Sequence, residues 1–307
     1  MQEEAIESYY AHGKLLLSGE YLVLTGARAL ALPLKYGQKL TLEENHSSFL
    51  SWTARTPQGH WFQADYDEAL NIKSCDNYQL AEKLASILKI CNAYRPDIRD
   101  LFQNKQVTTE LEFDKDWGWG SSSSLISLLS QWLGVHPYHL LQDTFGGSGY
   151  DIACATASSP ITYQLVDGIP KVETVEFHPA FSEHIYFVYS GKKQNSSNEI
   201  ARFEKHLVSQ ENLQIINHIT DQMITCNDLH LFGPLMEQHE KIIGDIVHLN
   251  PIKNEHFNDF KGYIKTLGAW GGDFMMVVTD EAEGYVREYF NSKQLTTIFK
   301  YNEVKIK

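Results

Sequence analysis

The chain has 307 residues, with 26 Lys+Arg against 39 Asp+Glu and a formal net charge of −13. Its hydrophobic fraction of 43% and charged fraction of 21% belong to folded proteins with a sizeable core, which excludes bulk disorder and collagen-like or low-complexity chains. The acidic balance argues against nucleic acid as the main partner, since neutralising phosphates needs a Lys/Arg-rich face, but it leaves room for small anions held by local cations and backbone N–H groups.

Taken in chain order, Leu15–Leu17, Tyr21–Leu24, Leu40–Leu42 and Phe49–Trp52 read as strands punctuated by Gly19, Gly26, Gly37 and Gly59. Helical spacing over 77–94 aligns Leu80, Leu84, Ile87, Leu88 and Cys91, and alternation over Val107–Phe113 predicts a strand. The Gly-Ser run 118–124 opens a helix that stops at Gly134, and a second helix is expected over Pro137–Thr144. A second Gly-rich stretch, 146–149, precedes a short helix. Strands are expected at Ile161–Val166, Val172–Phe177 and Ile185–Tyr189, helices over 196–249, a strand over Phe274–Val278, a helix near 281–291 and strand character over 295–306. This order predicts an α+β chain without internal repeats, divided near residue 170 into domains 1–170 and 171–307.

Four scattered cysteines, Cys75, Cys91, Cys154 and Cys226, form no CxxC pair and read as reduced thiols. The acidic start lacks the basic and apolar regions of a signal peptide, and no run of about eighteen apolar residues occurs, so the expectation is a cytoplasmic chain without a membrane partner.

Strand, Gly-rich loop and helix start at 113–125 outline an anion site, because a helix N-terminus offers free N–H groups and the positive dipole end. The bland alternative is a flexible Gly/Ser linker. Neither GxxxxGK[ST] nor GxGxxG occurs in the chain. Asp151 follows the 146–149 turn and reads either as a general base or as a helix cap. Asp273 closes a further Gly-rich turn at 268–272 and fits a cap or turn better. Lys14, heading an apolar strand, reads either as a solvated strand-end cation or as one aimed at developing negative charge.

These segments, in this order, resemble the GHMP kinase superfamily. Its first motif resembles Gly13-Lys14 through Glu20 to Gly26; its second, a Gly-Leu-Gly-Ser-Ser loop, resembles Gly118-Trp119-Gly120-Ser121-Ser122; its third resembles Gly268-Ala269-Trp270-Gly271-Gly272-Asp273. The segments Gly147–Ala153 and Gly191–Ser197 lean toward the phosphomevalonate kinase and mevalonate kinase branch. Departures are His12 for the usual Pro, Trp119 for Leu, Leu267 for Ser and Trp270 for Gly. Tryptophan in two nucleotide loops would narrow the pocket or change its fit to ATP. Mevalonate kinases also carry a magnesium-holding Glu eleven residues before the catalytic Asp; that position is Leu140, with Asp143 and Gln142 as substitutes to weigh.

The resemblance implies a two-domain GHMP kinase fold, with a ribosomal protein S5 domain 2-like N-terminal domain and a ferredoxin-like α/β C-terminal domain. It implies transfer of the ATP γ-phosphoryl group to a small anionic metabolite of the mevalonate pathway, phosphomevalonate favoured over mevalonate, by a monomer or homodimer. Gly118, Gly120, Ser121, Ser122 and Ser123 would cradle the phosphates, and the Ser121 hydroxyl would meet Mg²⁺. Lys14 and Asp151 would be catalytic, Asp151 orienting or deprotonating a hydroxyl acceptor or, with a phosphate acceptor, holding Lys14. Glu20, Ser148, Gly149, Lys192, Ser196, Ser197, Gly268 and Gly271 would bind substrate. Two other readings stay open: a kinase of the same fold acting on a sugar or amino alcohol, and a member that binds a metabolite without chemistry.

Overall fold

The structure, a computed structural model, describes residues 7–46, 48–193, 203–268 and 273–306. In chain order the strands and helices are β1 (Glu7–Ser18), β2 (Ala29–Glu44), β3 (Leu50–Thr56), β4 (Gly59–Tyr66), β5 (Ile72–Cys75), α1 (Tyr78–Tyr94), α2 (Arg99–Phe102), β6 (Lys105–Leu111), α3 (Ser121–Leu133), α4 (Pro137–Thr144) and α5 (Tyr150–Ala155). There follow β7 (Ile161–Val166), β8 (Ile169–Thr174), β9 (Ile185–Tyr189), α6 (Gln210–Thr225), α7 (Leu229–Val247), α8 (Ile252–His256), β10 (Tyr263–Leu267), β11 (Phe274–Val278), α9 (Glu283–Ser292), β12 (Ile298–Lys300) and α10 (Tyr301–Val304). The strands form an eight-stranded and a four-stranded sheet, the expected α+β class. By density of contacts the chain divides into two compact units that interleave in sequence: residues 1–13, 36–115 and 120–156 form the first, and 14–35, 116–119 and 157–307 the second.

In the first unit β5, β4, β3, β6 and the C-terminal part of β2 lie side by side, antiparallel except for the parallel β3–β6 pair. Period-two alternation turns Leu50, Trp52 and Ala54 of β3 and Phe62, Ala64 and Tyr66 of β4 into one core. Leu84, Ile87, Leu88 and Cys91 of α1 and Ile126, Leu129 and Leu133 of α3 join it. Each such aliphatic side chain contributes about 1.5–3 kcal/mol by leaving water. Helix α1 begins where the Asn77 side chain accepts from the Leu80 N–H, and α3 ends at Gly134, whose φ of 64° suits a residue without Cβ.

In the second unit the smaller sheet has the antiparallel order β10-β11-β9-β12. The central strand β11 is buried at all five positions, as a strand covered on both faces must be. Met275 and Val277 pack with Tyr186, Val188, Ile264, Val286 and Phe290. The β7–β8 hairpin continues the larger sheet from the first residues of β2, through Ala29 opposite Tyr163.

Three expectations are corrected. Tyr21–Leu24 contributes to a 3₁₀ turn, Leu22–Thr25, rather than a strand, because the chain reverses between Gly19 (φ 82°), Tyr21 (φ 59°) and Gly26 (φ 97°). The strand expected at Val172–Phe177 is β8, which starts at Ile169 and ends at Thr174, its register set by the Asp167-Gly168 turn. Of 295–306, only Ile298–Lys300 is a strand, and a helical turn follows.

Candidate active site

In the first unit, α3 opens on Gly120, whose φ of 94° puts the cap in the left-handed region and leaves the helix start without a side-chain cap. Ser124 N–H closes the first turn onto the Gly120 carbonyl, and Ser123 Oγ donates to the same carbonyl at 3.0 Å. Ser124 Oγ donates to Gln38 Oε1 at 2.7 Å, locking the turn to β2. Ser123 and Ser124 are buried, while Ser121 is half-buried and Ser122 exposed. The run is therefore the first turn of an amphipathic helix rather than a linker, with two hydroxyls and uncapped N–H groups at its start.

Helix α3 packs against α4 and α5 within the first unit. Gly146, Gly147 and Gly149 all have positive φ, and Gly149 is the cap of α5. Asp151 is thus in the first helical turn rather than at the cap, half-buried, with the Ile152 N–H 3.1 Å from its Oδ1. The Tyr138 hydroxyl is pushed up to about 12, first by burial and then by Asp151. Ser148 is buried and Gln142 donates to the Gly147 carbonyl at 3.0 Å. Leu140 is wholly buried in the core, and Asp143 accepts from the Tyr94 hydroxyl at 2.6 Å. Neither Gln142 nor Asp143 stands in for the family's glutamate without giving up these bonds.

In the second unit, Lys14 Nζ donates to the Gly118 carbonyl at 2.9 Å, and the Lys14 N–H donates to the Trp119 carbonyl at 3.0 Å. Motif one and the head of motif two are thereby joined through one lysine. A Cβ on Gly118 would lie 2.2 Å from Asp273 Oδ2, so only glycine lets the loop approach that carboxylate. Asp273 is buried with φ 52°, and its backbone is pinned by Lys192 O and Ser190 N. Gly268 faces the same carboxylate, 3.9 Å from where its Cβ would be. Trp119 is fully buried, stacked on Phe274 at 5.1 Å and against Trp117 and Phe299. It anchors the loop in an aromatic cluster of its own unit. Lys192 is exposed, and Lys193 pairs with Asp116 at 3.3 Å.

Glu20 belongs to a buried cluster within the second unit. Its carboxylate pairs with Lys265, which is itself 0% exposed and donates to Thr266 O at 2.7 Å. The Gly19 N–H donates to His239 Nε2 at 2.8 Å, so His239 is neutral with its proton on Nδ1, and Glu20 Oε2 lies 3.2 Å from that Nε2. Burial, then Lys265, holds His239 well below its ordinary pKa. Burial outweighs Lys265 in raising Glu20. Glu240 accepts from Thr266 N–H at 3.2 Å and Thr266 Oγ1 at 3.0 Å, and burial pushes it up to about 7. This cluster fastens the motif-one turn to α7 and β10. Sequence reading missed His239, Glu240 and Lys265; for the first two, their phase with Phe232, Met236 and Ile243 on α7 was the available signal.

Ser196, Ser197 and Gly271, with Trp270, lie outside the described residues. In the first unit, the uncapped start of α3 offers the free backbone N–H groups that suit an anion. Among the described residues no group of three or more His, Cys, Asp or Glu could hold a metal ion. No helix among the described residues is long and apolar enough to cross a membrane.

No protein-family model matches the sequence, and no curated protein matches it. Solved structures do. The chain is similar to the Methanococcus jannaschii mevalonate kinase, with a TM-score of 0.70 and 17% identity over 99% of both chains. It is similar to the Streptococcus pneumoniae phosphomevalonate kinase in complex with phosphomevalonate and AMPPNP, with a TM-score of 0.68 and 15% identity over 96% of this chain and 99% of that one. It is also similar to the Lactococcus lactis galactokinase complexed with galactose, with a TM-score of 0.67 and 12% identity over 99% and 94%.

Proposed function

We propose that this chain, which has the GHMP kinase fold, is an ATP-dependent small-molecule kinase whose acceptor is a mevalonate-pathway metabolite, phosphomevalonate favoured over mevalonate. The observation that carries the reading is the Lys14–Gly118 bond, which ties the lysine of motif one to the loop that opens α3. Neighbours crystallised with phosphomevalonate and AMPPNP and with galactose support the substrate class of small metabolites.

In the proposed reaction the acceptor oxygen bonds to the γ-phosphorus as the bond to the β–γ bridging oxygen breaks and ADP leaves. The protein's task is positioning and charge stabilisation. Gly118 and Gly120 shape the loop, and the N–H groups of Ser121, Ser122 and Ser123 with the hydroxyls of Ser121 and Ser122 hold phosphate oxygens. Lys14 supplies the cation for developing charge. Asp151 accepts the proton of a hydroxyl acceptor; with a phosphomonoester acceptor, already ionised, it has none to remove. Ser148, Gly149, Lys192, Ser196, Ser197, Gly268 and Gly271 are proposed on the acceptor side. Glu20, sealed against Lys265, is better placed to hold the motif-one turn than to touch a ligand. Mg²⁺ would supply charge neutralisation of the phosphates, with Ser121 beside it. Domains at 1–170 and 171–307 and a cytoplasmic location belong to the same proposal.

The test is purified protein with ATP, Mg²⁺ and, separately, phosphomevalonate, mevalonate, homoserine and a sugar panel, reading ADP release. Acceptor-dependent ADP with phosphomevalonate is expected, and turnover with a sugar or homoserine instead would move the substrate assignment. The buried Leu140 at the family's magnesium position favours one other reading, a metabolite-binding protein without chemistry. Calorimetry showing metabolite binding with no binding of an ATP analogue would establish that reading in place of the kinase.

A further inference from the structure

Strand β8 ends the larger sheet and pairs, among the described residues, with β7 alone. It is open along its length, with Ile169 70% and Val172 43% exposed. The two-residue turn has positive φ at both Asp167 (52°) and Gly168 (78°), the type I′ geometry that makes Val166 and Ile169 a hydrogen-bonded pair. Alternation then makes Lys171 and Glu173 bond inward to β7, in phase with the Val175 N–H to Pro160 O bond of 2.9 Å. Pro170, Val172 and Thr174 consequently turn their backbone groups to the free edge.

We propose that this edge pairs with the same edge of a second copy of the chain, antiparallel about a two-fold axis at Val172. The charge pattern selects that occupant. With Val172 opposite Val172, each Lys171 lies directly across from the Glu173 of the second copy, in the closer, non-hydrogen-bonded pairs. Lys171 and Glu173 already pair along their own strand at 2.8 Å, both about half exposed, so two copies make a closed square of alternating charge. The two Val172 residues exchange both backbone bonds. Each Thr174 N–H reaches the opposite Pro170 carbonyl, an arrangement in which the missing proline N–H costs only one bond on each side. A shift of the pairing by two residues would bring Lys171 opposite Lys171 or Glu173 opposite Glu173, so the pattern also specifies the register. The edge is short, and the dimer it makes is a weak one, forming in the micromolar range.

The test is sedimentation velocity of the full chain from about 1 to 100 μM. A concentration-dependent dimer is expected. Lys171→Glu alone and Glu173→Lys alone each set like charges opposite, and each should weaken the dimer about tenfold or more. The doubly exchanged chain restores the pairs and should dimerise as the parent does, which also controls for folding. A parent that stays monomeric over that range, a dimer indifferent to either single change, or a double variant that does not recover would each overturn the proposal.

Discussion

Glu240 receives two kinds of donor from Thr266, yet burial dominates and pushes it up to about 7. A carboxyl raised on folding binds a proton in the native state that the unfolded chain has lost, so its stabilisation is full below the ordinary carboxyl range and is lost as pH rises to about 7. His239 works in the opposite sense. Its depressed pKa gives stability that is present above its ordinary value of 6.5 and lost as pH falls below it. Glu240→Gln should therefore remove the alkaline loss and leave the acid one, so that the Tm decline of the parent from pH 5 to pH 8 shrinks in the variant. Equal declines in both, measured by calorimetry, would show that Glu240 does not titrate in that window. For the proposed chemistry, Asp151→Asn and Lys14→Met should each lower turnover by about two to four orders of magnitude with little change in Tm. Near-parental turnover in either variant would remove that residue from the mechanism. Lys14 and Asp151, the residues proposed as catalytic, stand out in the sequence because each lies beside glycines in a recognisable segment. His239, Glu240 and Lys265 were not, because a charged residue in a helix or strand reads as solvated until its neighbours across the fold are known.

At the scale of elements, two glycines set how closely pieces of the second unit approach. Gly118 has φ +67°, and a Cβ there would meet Asp273 Oδ2 at 2.2 Å. Gly118→Ala should displace the loop and lower kcat/KM for ATP by about ten- to a hundredfold, whereas an unchanged value would mean that the loop does not hold the nucleotide. Gly233 lies where α7 crosses β10, and a Cβ there would be 2.1 Å from the Tyr263 ring. Gly233→Ala should destabilise the chain by about 1–3 kcal/mol through overpacking, seen as a lower denaturant midpoint. A midpoint equal to the parent's would mean that the Tyr263 ring gives way freely. Elements with a single strong period were readable from sequence: α3 and α4 run from Ser121 to Leu133 and from Pro137 to Thr144, as apolar spacing and the stops at Gly134 and Thr144 predict. Strands β4, β5 and β10 escaped notice. β5 has no fully buried position, and β10 carries Lys265 and Thr266 where apolar residues would announce a strand. The Tyr21–Leu24 run misled for the converse reason, since apolar content says nothing about the positive φ at Tyr21 that bends the chain.

At the scale of the whole molecule, the α+β class was legible because three glycine-rich segments occur in a set order among alternating strands and helices. The interleaving of the two compact units was not, because β1 and β2 each pass from one unit to the other within a single apolar strand, leaving no linker to mark the crossing. The net charge of −13 gives the last prediction. In the proposed reaction ATP and a phosphorylated acceptor are anions approaching an acidic protein, so the long-range field opposes their arrival. Under that proposal, binding would have to come from short-range features, for which the α3 N-terminus, Lys14 and the exposed Lys192 are the proposed groups. Salt shortens the reach of the field from about 30 Å at 0.01 M to about 8 Å at 0.15 M. It weakens the repulsion of the whole surface while leaving groups in contact with the ligand largely unscreened. For the proposed reaction, kcat/KM should therefore hold steady or rise by up to a few fold as monovalent salt increases over that range at constant free Mg²⁺. A steep fall would show instead that a concentrated basic surface draws the substrates in, and the surplus acid would have to be concentrated far from where they bind.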